Sequence, residues 1–113
     1  MPKRDALLLL ADIETSLDKI AKYLKGAGIS DFLNDEKTID AVVRNLEIIG
    51  EAVRQLPISF KNENSQIPWN EMAGLRNRIV HDYAGIDKEL IWEICKEDLP
   101  RLKNMLKSIF PLA

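Results

Sequence analysis

Cysteine and histidine each occur only once in the 113 residues, as Cys95 and His81. A single cysteine excludes an internal disulfide, which fits a reducing cytoplasm. Zinc sites usually need several His or Cys ligands, so a metal centre of that type is not expected. The sequence also has no Gly-rich phosphate loop of the Walker or dinucleotide type. We therefore expect a cytoplasmic protein without a metal or a bound cofactor.

Long apolar runs and an excess of positive charge are missing too. No segment approaches the ~20 apolar residues of a membrane helix, and the run Ala6–Leu10 is too short for a signal peptide. The net charge is −2 and the pI about 5.4, which argues against a protein that coats nucleic acid by bulk charge. Sixteen Lys and Arg residues can still form a local basic site. With 46% apolar and 30% charged residues, the chain is typical of one globular domain spanning residues 1–113.

Helical periodicity dominates the first half of the chain. Apolar residues that step by three and four predict a helix from about Arg4 to Lys25, ended by Gly26. The same pattern predicts a second helix from about Asp35 to Leu56, which Asn34 or Asp35 can cap and Pro57 stops. Two long apolar seams of this kind indicate an antiparallel helix pair.

The second half predicts shorter elements. Residues 57–67 are polar and irregular and predict a surface loop. A third helix is expected from about Trp69 to His81, and a fourth begins at Lys88 after the cap Asp87. Pro100 should kink or split the last helical stretch, with Asp98 as a cap for its restart. No strand is predicted. The fold class is all-α, an antiparallel four- to five-helix bundle.

One short segment gathers most of the chemically versatile side chains. Between positions 76 and 83 lie Arg76, Asn77, Arg78, His81 and Tyr83. Several have a structural interpretation, because a His in the last turn complements the helix dipole and a Tyr there often packs in the core. Arg78 can equally be a solvated surface charge. Composition alone leaves these interpretations open.

Spacing on a helix suggests more. Asn77 and His81, four residues apart, share one helical face. Arg76 lies off that face, so its side chain can approach His81 only through its length, or if the helix ends near Val80. Arg can hold a phosphate in a bidentate manner, and His can move a proton near neutral pH. These residue types around one point suit a phosphodiester as substrate.

RNA carries its own nucleophile, the 2′-hydroxyl, so its cleavage needs only proton transfer and charge stabilisation. Acid–base catalysis uses an acid and a base, whereas the chain has one His. A two-fold dimer would supply a second His81 and a second Arg76 to one cleft. Water or Tyr83 could serve instead.

The segment also resembles a known family. Arg76-x4-His81-x-Tyr83 is similar to the Arg-x(4–6)-His signature of HEPN ribonucleases in its His-x-Tyr form. The similarity extends to HepT-like toxins over further stretches of the chain: Arg44–Ala52, Pro68-Trp69, Gly74–Asn77 and Ile91-Trp92.

The resemblance implies an all-α homodimer that is encoded with a nucleotidyltransferase antitoxin and cuts RNA without metal. It implies that Arg76 and His81 are catalytic, that Asn77 supports them, and that the antitoxin silences the toxin by adenylylating Tyr83. Arg78, which lies beside them in the sequence, is a further candidate for a supporting residue.

Two other hypotheses remain. The first is a non-catalytic HEPN regulatory subunit that binds a nucleotide or a nucleotidyltransferase partner, and the second is a purely structural helical bundle. An intact Arg76–His81 pair favours the enzyme over both. For Cys95, a buried small hydrophobic residue is favoured over a catalytic thiol.

Overall fold

The computed structural model describes residues 3–81 and 85–109. These residues form helices linked by short connections, with one two-stranded pairing. The elements are α1 (Lys3–Leu24), α2 (Ile29–Leu33), α3 (Glu36–Gln55), α4 (Ile58–Glu63), α5 (Trp69–Ala73), α6 (Leu75–Ile79), β1 (Val80–His81), β2 (Gly85–Ile86), α7 (Lys88–Glu93), a π-helical turn (Ile94–Asp98) and α8 (Leu99–Lys107). The predicted all-α helical bundle is confirmed.

Helices α1 and α3 form the framework, close to their predicted bounds. Leu9 and Asp12 of early α1 line the same groove as Ala52 and Gln55 of late α3, so the two helices run antiparallel. The Asp35 carboxylate accepts the backbone N–H of Thr38 at 3.1 Å, so the expected cap begins α3.

The core is the apolar surface that the two periodic patterns predicted. Every residue of both stripes is buried, and they are Leu10, Ile13, Leu17, Ile20, Leu24, Ile39, Val42, Leu46, Ile49, Val53 and Leu56. The shorter helices close this core with the buried Met72, Leu75, Ile91 and Leu102. Within residues 3–81 and 85–109, no helix combines the length and apolar character required to cross a bilayer.

The loop predicted for residues 57–67 is wrong in part, because Ile58–Glu63 forms helix α4. The buried Trp69 explains the difference. Its indole N–H donates to the carbonyls of Lys61 and Asn64, at 3.2 and 3.1 Å, and thereby ties this segment to α5. Because Trp69 lies outside the segment Ile58–Glu63, its contacts produce no helical pattern in the sequence of that segment.

The third predicted helix is divided, and this corrects two predictions. It breaks at Gly74 into α5 and α6 and ends at Ile79, so His81 does not share a helical face with Asn77. Val80 is extended, and β1 pairs with β2 in antiparallel register, where no strand was expected. Gly85 adopts a φ of +79°, which glycine accommodates without strain, and the backbone N–H of Asp87 donates to the Ile79 carbonyl at 2.8 Å.

The last helical stretch stays helical through Pro100, and the predicted kink or split takes the form of a change from α-helical to π-helical geometry just before the proline. Asp87 caps α7 through the backbone N–H of Leu90, as expected, whereas Asp98 makes no side-chain capping bond. The π-helical turn Ile94–Asp98 directly precedes α8. A proline ring crowds the carbonyl four residues earlier, and a wider turn at that point relieves the crowding.

The cap at Asp35 predicts a pH-dependent contribution to stability. Hydrogen bonds from Thr38 lower the pKa of the Asp35 carboxyl below its ordinary value. The stabilisation is therefore present above the pKa of the unfolded chain, ~3.9, and is lost as pH falls through the lower folded pKa. We expect the difference in unfolding free energy between wild type and Asp35→Asn, measured by urea denaturation, to shrink below pH 4. A difference that stays constant from pH 6 to pH 3 would contradict this.

Candidate active site

Helix α6 presents the first part of the predicted constellation to solvent. Arg76 and Asn77 are both exposed. The Nε atom of Arg76 lies 3.8 Å from Oε2 of Glu47 on α3, and the two side chains are 49% and 44% exposed. The guanidinium thus has a carboxylate beside one edge while it stays open to a ligand.

Arg76 and Asn77 share an open depression of about 310 Å³ with the facing side of α3. The α3 residues that line it are Glu47, Gly50, Glu51 and Arg54. A phosphate could reach a guanidinium and an amide here. The carboxylates of Glu47 and Glu51 keep the depression from being uniformly basic.

Close packing at Gly50 sets the position of α6. A Cβ at Gly50 would lie only 3.0 Å from the carbonyl oxygen of Ala73, the last residue of α5. Arg54 donates from Nη2 to the same carbonyl at 2.7 Å. The end of α5, and with it the start of α6, therefore rests directly on α3.

Arg78 makes its contacts away from the depression of Arg76, and its supporting role stays a prediction. Its Nη1 donates to Oδ2 of Asp98 at 2.8 Å, and it does not line the depression of Arg76. Asp98 also lies 3.7 Å from Arg101, which donates to Glu71 at 2.6 Å. This network joins α5, α6, the π-helical turn and α8, so Arg78 holds α6 from the side away from α3.

The remaining predicted residues follow α6. His81 ends strand β1, and its backbone pairs with Gly85. Tyr83 lies outside the described residues. The short pairing, together with the bond from Asp87 to Ile79, returns the chain to the end of α6 just before α7 begins. The catalytic role of His81 and the modification of Tyr83 stay predictions.

Sequence reasoning from residue chemistry missed the contribution of α3. Glu47, Gly50 and Arg54 repeat at intervals of three and four, which places them on one helical face, and Gly50 lies in a helix interior where glycine is unfavourable. That glycine was the available signal of a close backbone approach. Glu47 and Gly50 lie in the block Arg44–Ala52, which entered only through its family resemblance, and Arg54 lies just beyond it.

Cys95 is structural, as expected. The side chain is buried, and burial raises the pKa of its thiol to about 12. A thiol of this kind carries almost no thiolate at neutral pH, so it is a poor nucleophile.

Comparison with known proteins agrees with the motif. A profile of the family described as ribonuclease HepT-like matches residues 13–109. The chain belongs to the HepT-like ribonuclease family. The match covers α2 through α8 and about half of α1, so the family assignment includes both sides of the depression.

Relatives of similar length support this HepT-like assignment. The chain is 40% identical over 109 residues to a Methanocaldococcus jannaschii protein provisionally named an RNase, covering 96% of this chain and 100% of that one. It is 40% identical over 107 residues to the probable ribonuclease HepT of Thermococcus cleftensis, covering 95% and 97% of the two chains. A Caldanaerobacter subterraneus protein, also provisionally named an RNase, is 40% identical over 90 residues, or 80% of each chain. No solved structure matches significantly.

The contact at Gly50 predicts an unusual result for a helix substitution. Glycine is ~1 kcal/mol less favourable than alanine inside a helix, so Gly50→Ala would stabilise an unobstructed position. Because the new methyl group would press on the Ala73 carbonyl, we expect no gain, or a loss, in unfolding free energy measured by urea denaturation. A variant more stable than wild type by the full helix-propensity difference would show that the Ala73 carbonyl can move away from α3 without cost.

Proposed function

We propose that this HepT-like protein is a metal-independent endoribonuclease toxin that acts in the cytoplasm. The observation that supports this most is the placement of Arg76, a half-exposed guanidinium that lines an open depression beside Asn77. Arg is the residue best suited to bidentate recognition of a phosphate. The family membership and the names of the relatives point to the same class of reaction.

The proposed reaction uses the 2′-hydroxyl of RNA as the nucleophile. A base removes the 2′-hydroxyl proton while the 2′-oxygen bonds to phosphorus, and the bond from phosphorus to the 5′-oxygen breaks. An acid protonates the departing 5′-oxygen. The products are a 2′,3′-cyclic phosphate and a 5′-hydroxyl. Arg76 stabilises the charge that develops on the phosphoryl oxygens, and His81 transfers a proton.

A homodimer would complete the proton-transfer machinery. Each chain has one His, whereas the reaction uses a base and an acid. We infer a two-fold arrangement that brings both His81 residues, and both Arg76 residues, to one cleft. Dynamic light scattering of a fully active protein should give the size of a dimer, and a monomer of full activity would contradict the arrangement.

Control of the toxin is proposed to depend on Tyr83. A nucleotidyltransferase antitoxin would bind ATP and transfer adenosine monophosphate to the phenol oxygen, with release of pyrophosphate. Tyr83 lies two residues after His81 in the sequence, so the added phosphate would be held close to the site. Its charge would compete with RNA for Arg76 and its bulk would obstruct the cleft.

The catalytic roles predict a sharp loss of RNA cleavage. Arg76→Ala and His81→Ala should each reduce cleavage of a labelled RNA by ~100–1,000-fold or more, because each removes a group that acts in the transition state. The circular dichroism spectra of both variants should remain those of a helical protein. Lys22→Ala, which removes an exposed cation from the last turn of α1, is the matched control and should cleave normally.

The same assay tests the chemistry. EDTA should not change the rate, and mass spectrometry should find a 2′,3′-cyclic phosphate. Loss of activity on chelation, or a 5′-phosphate product, would contradict the proposed mechanism. Full activity of both variants would show that other groups carry out the cleavage. Absence of cleavage by wild type would favour the non-catalytic regulatory subunit.

The control mechanism predicts a specific mass change. With the antitoxin and ATP, wild-type protein should gain adenosine monophosphate and lose activity, because the modified phenol blocks the cleft. Tyr83→Phe keeps the ring and deletes the acceptor oxygen, so it should keep at least part of its activity and escape modification. Intact-mass spectra measure the gain. No gain in wild type, or an equal gain in Tyr83→Phe, would rule out Tyr83 as the target.

A further inference from the structure

We propose that Glu47 is a positioning residue of the ribonuclease site, which orients the Arg76 guanidinium toward the RNA phosphate. The inference rests on the proposed catalytic role of Arg76 and adds a residue from a different helix. It starts from the one ion pair that Arg76 forms within residues 3–81 and 85–109.

The contact is made by one particular edge of the guanidinium. Oε2 of Glu47 lies 3.8 Å from Nε of Arg76, and no hydrogen bond from the terminal nitrogens to a described residue accompanies it. A guanidinium has donors on more than one edge. With the carboxylate at Nε, the edge formed by the two terminal nitrogens can take a phosphate in a bidentate way.

Stability does not account for this pair. Both side chains are about half exposed, and ion pairs of that exposure contribute little to folding because water screens them. The geometry instead restrains a long side chain, whose rotamer freedom would otherwise have to be lost when RNA binds. Glu47 therefore acts on Arg76 by orientation and prior ordering.

The backbone that carries Glu47 is fixed relative to Arg76. Leu46 beside it is fully buried in the core. Gly50, one turn later, and Arg54, two turns later, both meet the Ala73 carbonyl just before α6. The distance between the Glu47 and Arg76 backbones is thus set by packing, so a carboxylate at position 47 returns the guanidinium to the same place.

An acidic residue beside a phosphate site also has an electrostatic consequence. The Glu47 carboxylate repels the RNA backbone, so it opposes substrate binding while it orients the catalytic group. A carboxylate that did not orient Arg76 would only oppose binding, so its removal would not lower kcat. Loss of Glu47 should therefore lower kcat while KM stays the same or falls.

The kinetic experiment compares Glu47→Gln and Glu47→Ala with wild type on a short labelled RNA. We expect kcat to fall by about 10- to 100-fold, the scale of a misplaced catalytic group, with KM unchanged or lower. Asp40→Asn is the matched control, since Asp40 is an exposed carboxylate two turns earlier on α3 and should leave both constants unchanged. Glu47→Gln is nearly isosteric, so it carries the test if Glu47→Ala does not fold.

A second readout does not require activity. The Nε–H signal of Arg76 in a ¹⁵N–¹H spectrum, assigned by its loss in Arg76→Lys, should shift in Glu47→Gln and stay in place in Asp40→Asn. An unmoved signal overturns the proposal. An unchanged or raised kcat in Glu47→Gln also overturns it. A raised kcat would mean that the Glu47 carboxylate competes with the RNA phosphate for Arg76. If wild type cuts no RNA, the proposed function fails, and the Nε–H signal alone decides whether Glu47 holds Arg76.

Discussion

The site depends on the close approach of α3 to the end of α5. Gly50 leaves room for the Ala73 carbonyl, and Arg54 donates a hydrogen bond to the same oxygen. One carbonyl thus receives both the packing contact and the polar contact of α3. Since Arg76 lies only three residues after Ala73, this contact sets the position of the Arg76 guanidinium at the surface.

Helix α6 needs this support because it is short. It has five residues, Leu75–Ile79, which is far below the length at which an isolated helix is stable in water. Leu75 and Ile79 anchor it in the core. Arg78 and its ion-pair network hold its far side through Asp98, which the π-helical turn presents. Packing on both sides leaves Arg76 and Asn77 exposed on an element that is itself fixed.

An acidic protein can carry an RNA-cleaving site because the relevant charge is local. The net charge of −2 argues against broad nucleic-acid binding, and the depression itself contains two carboxylates among its cations. Electrostatic attraction of the whole RNA backbone would be weak under these conditions. Recognition would then depend on a few oriented donors at one phosphate, a requirement that fits a single, well-restrained arginine.

Local signals in the sequence specify the framework of α1 and α3. Helices α1 and α3 were predicted nearly to their ends because apolar periodicity, the Asp35 cap and the flanking glycine and proline are local signals. The candidate residues Arg76 and Asn77 were also found from a local motif, and the structure places both on the surface of α6.

The remaining features depend on contacts between segments that are far apart in the sequence. The helix at Ile58–Glu63 depends on a tryptophan beyond its end, and the end of α6 depends on a pairing with Gly85. Glu47 meets Arg76 because two helices pack together. No spacing along the chain encodes such contacts, since their free energy arises between segments that are distant in sequence and close in the fold.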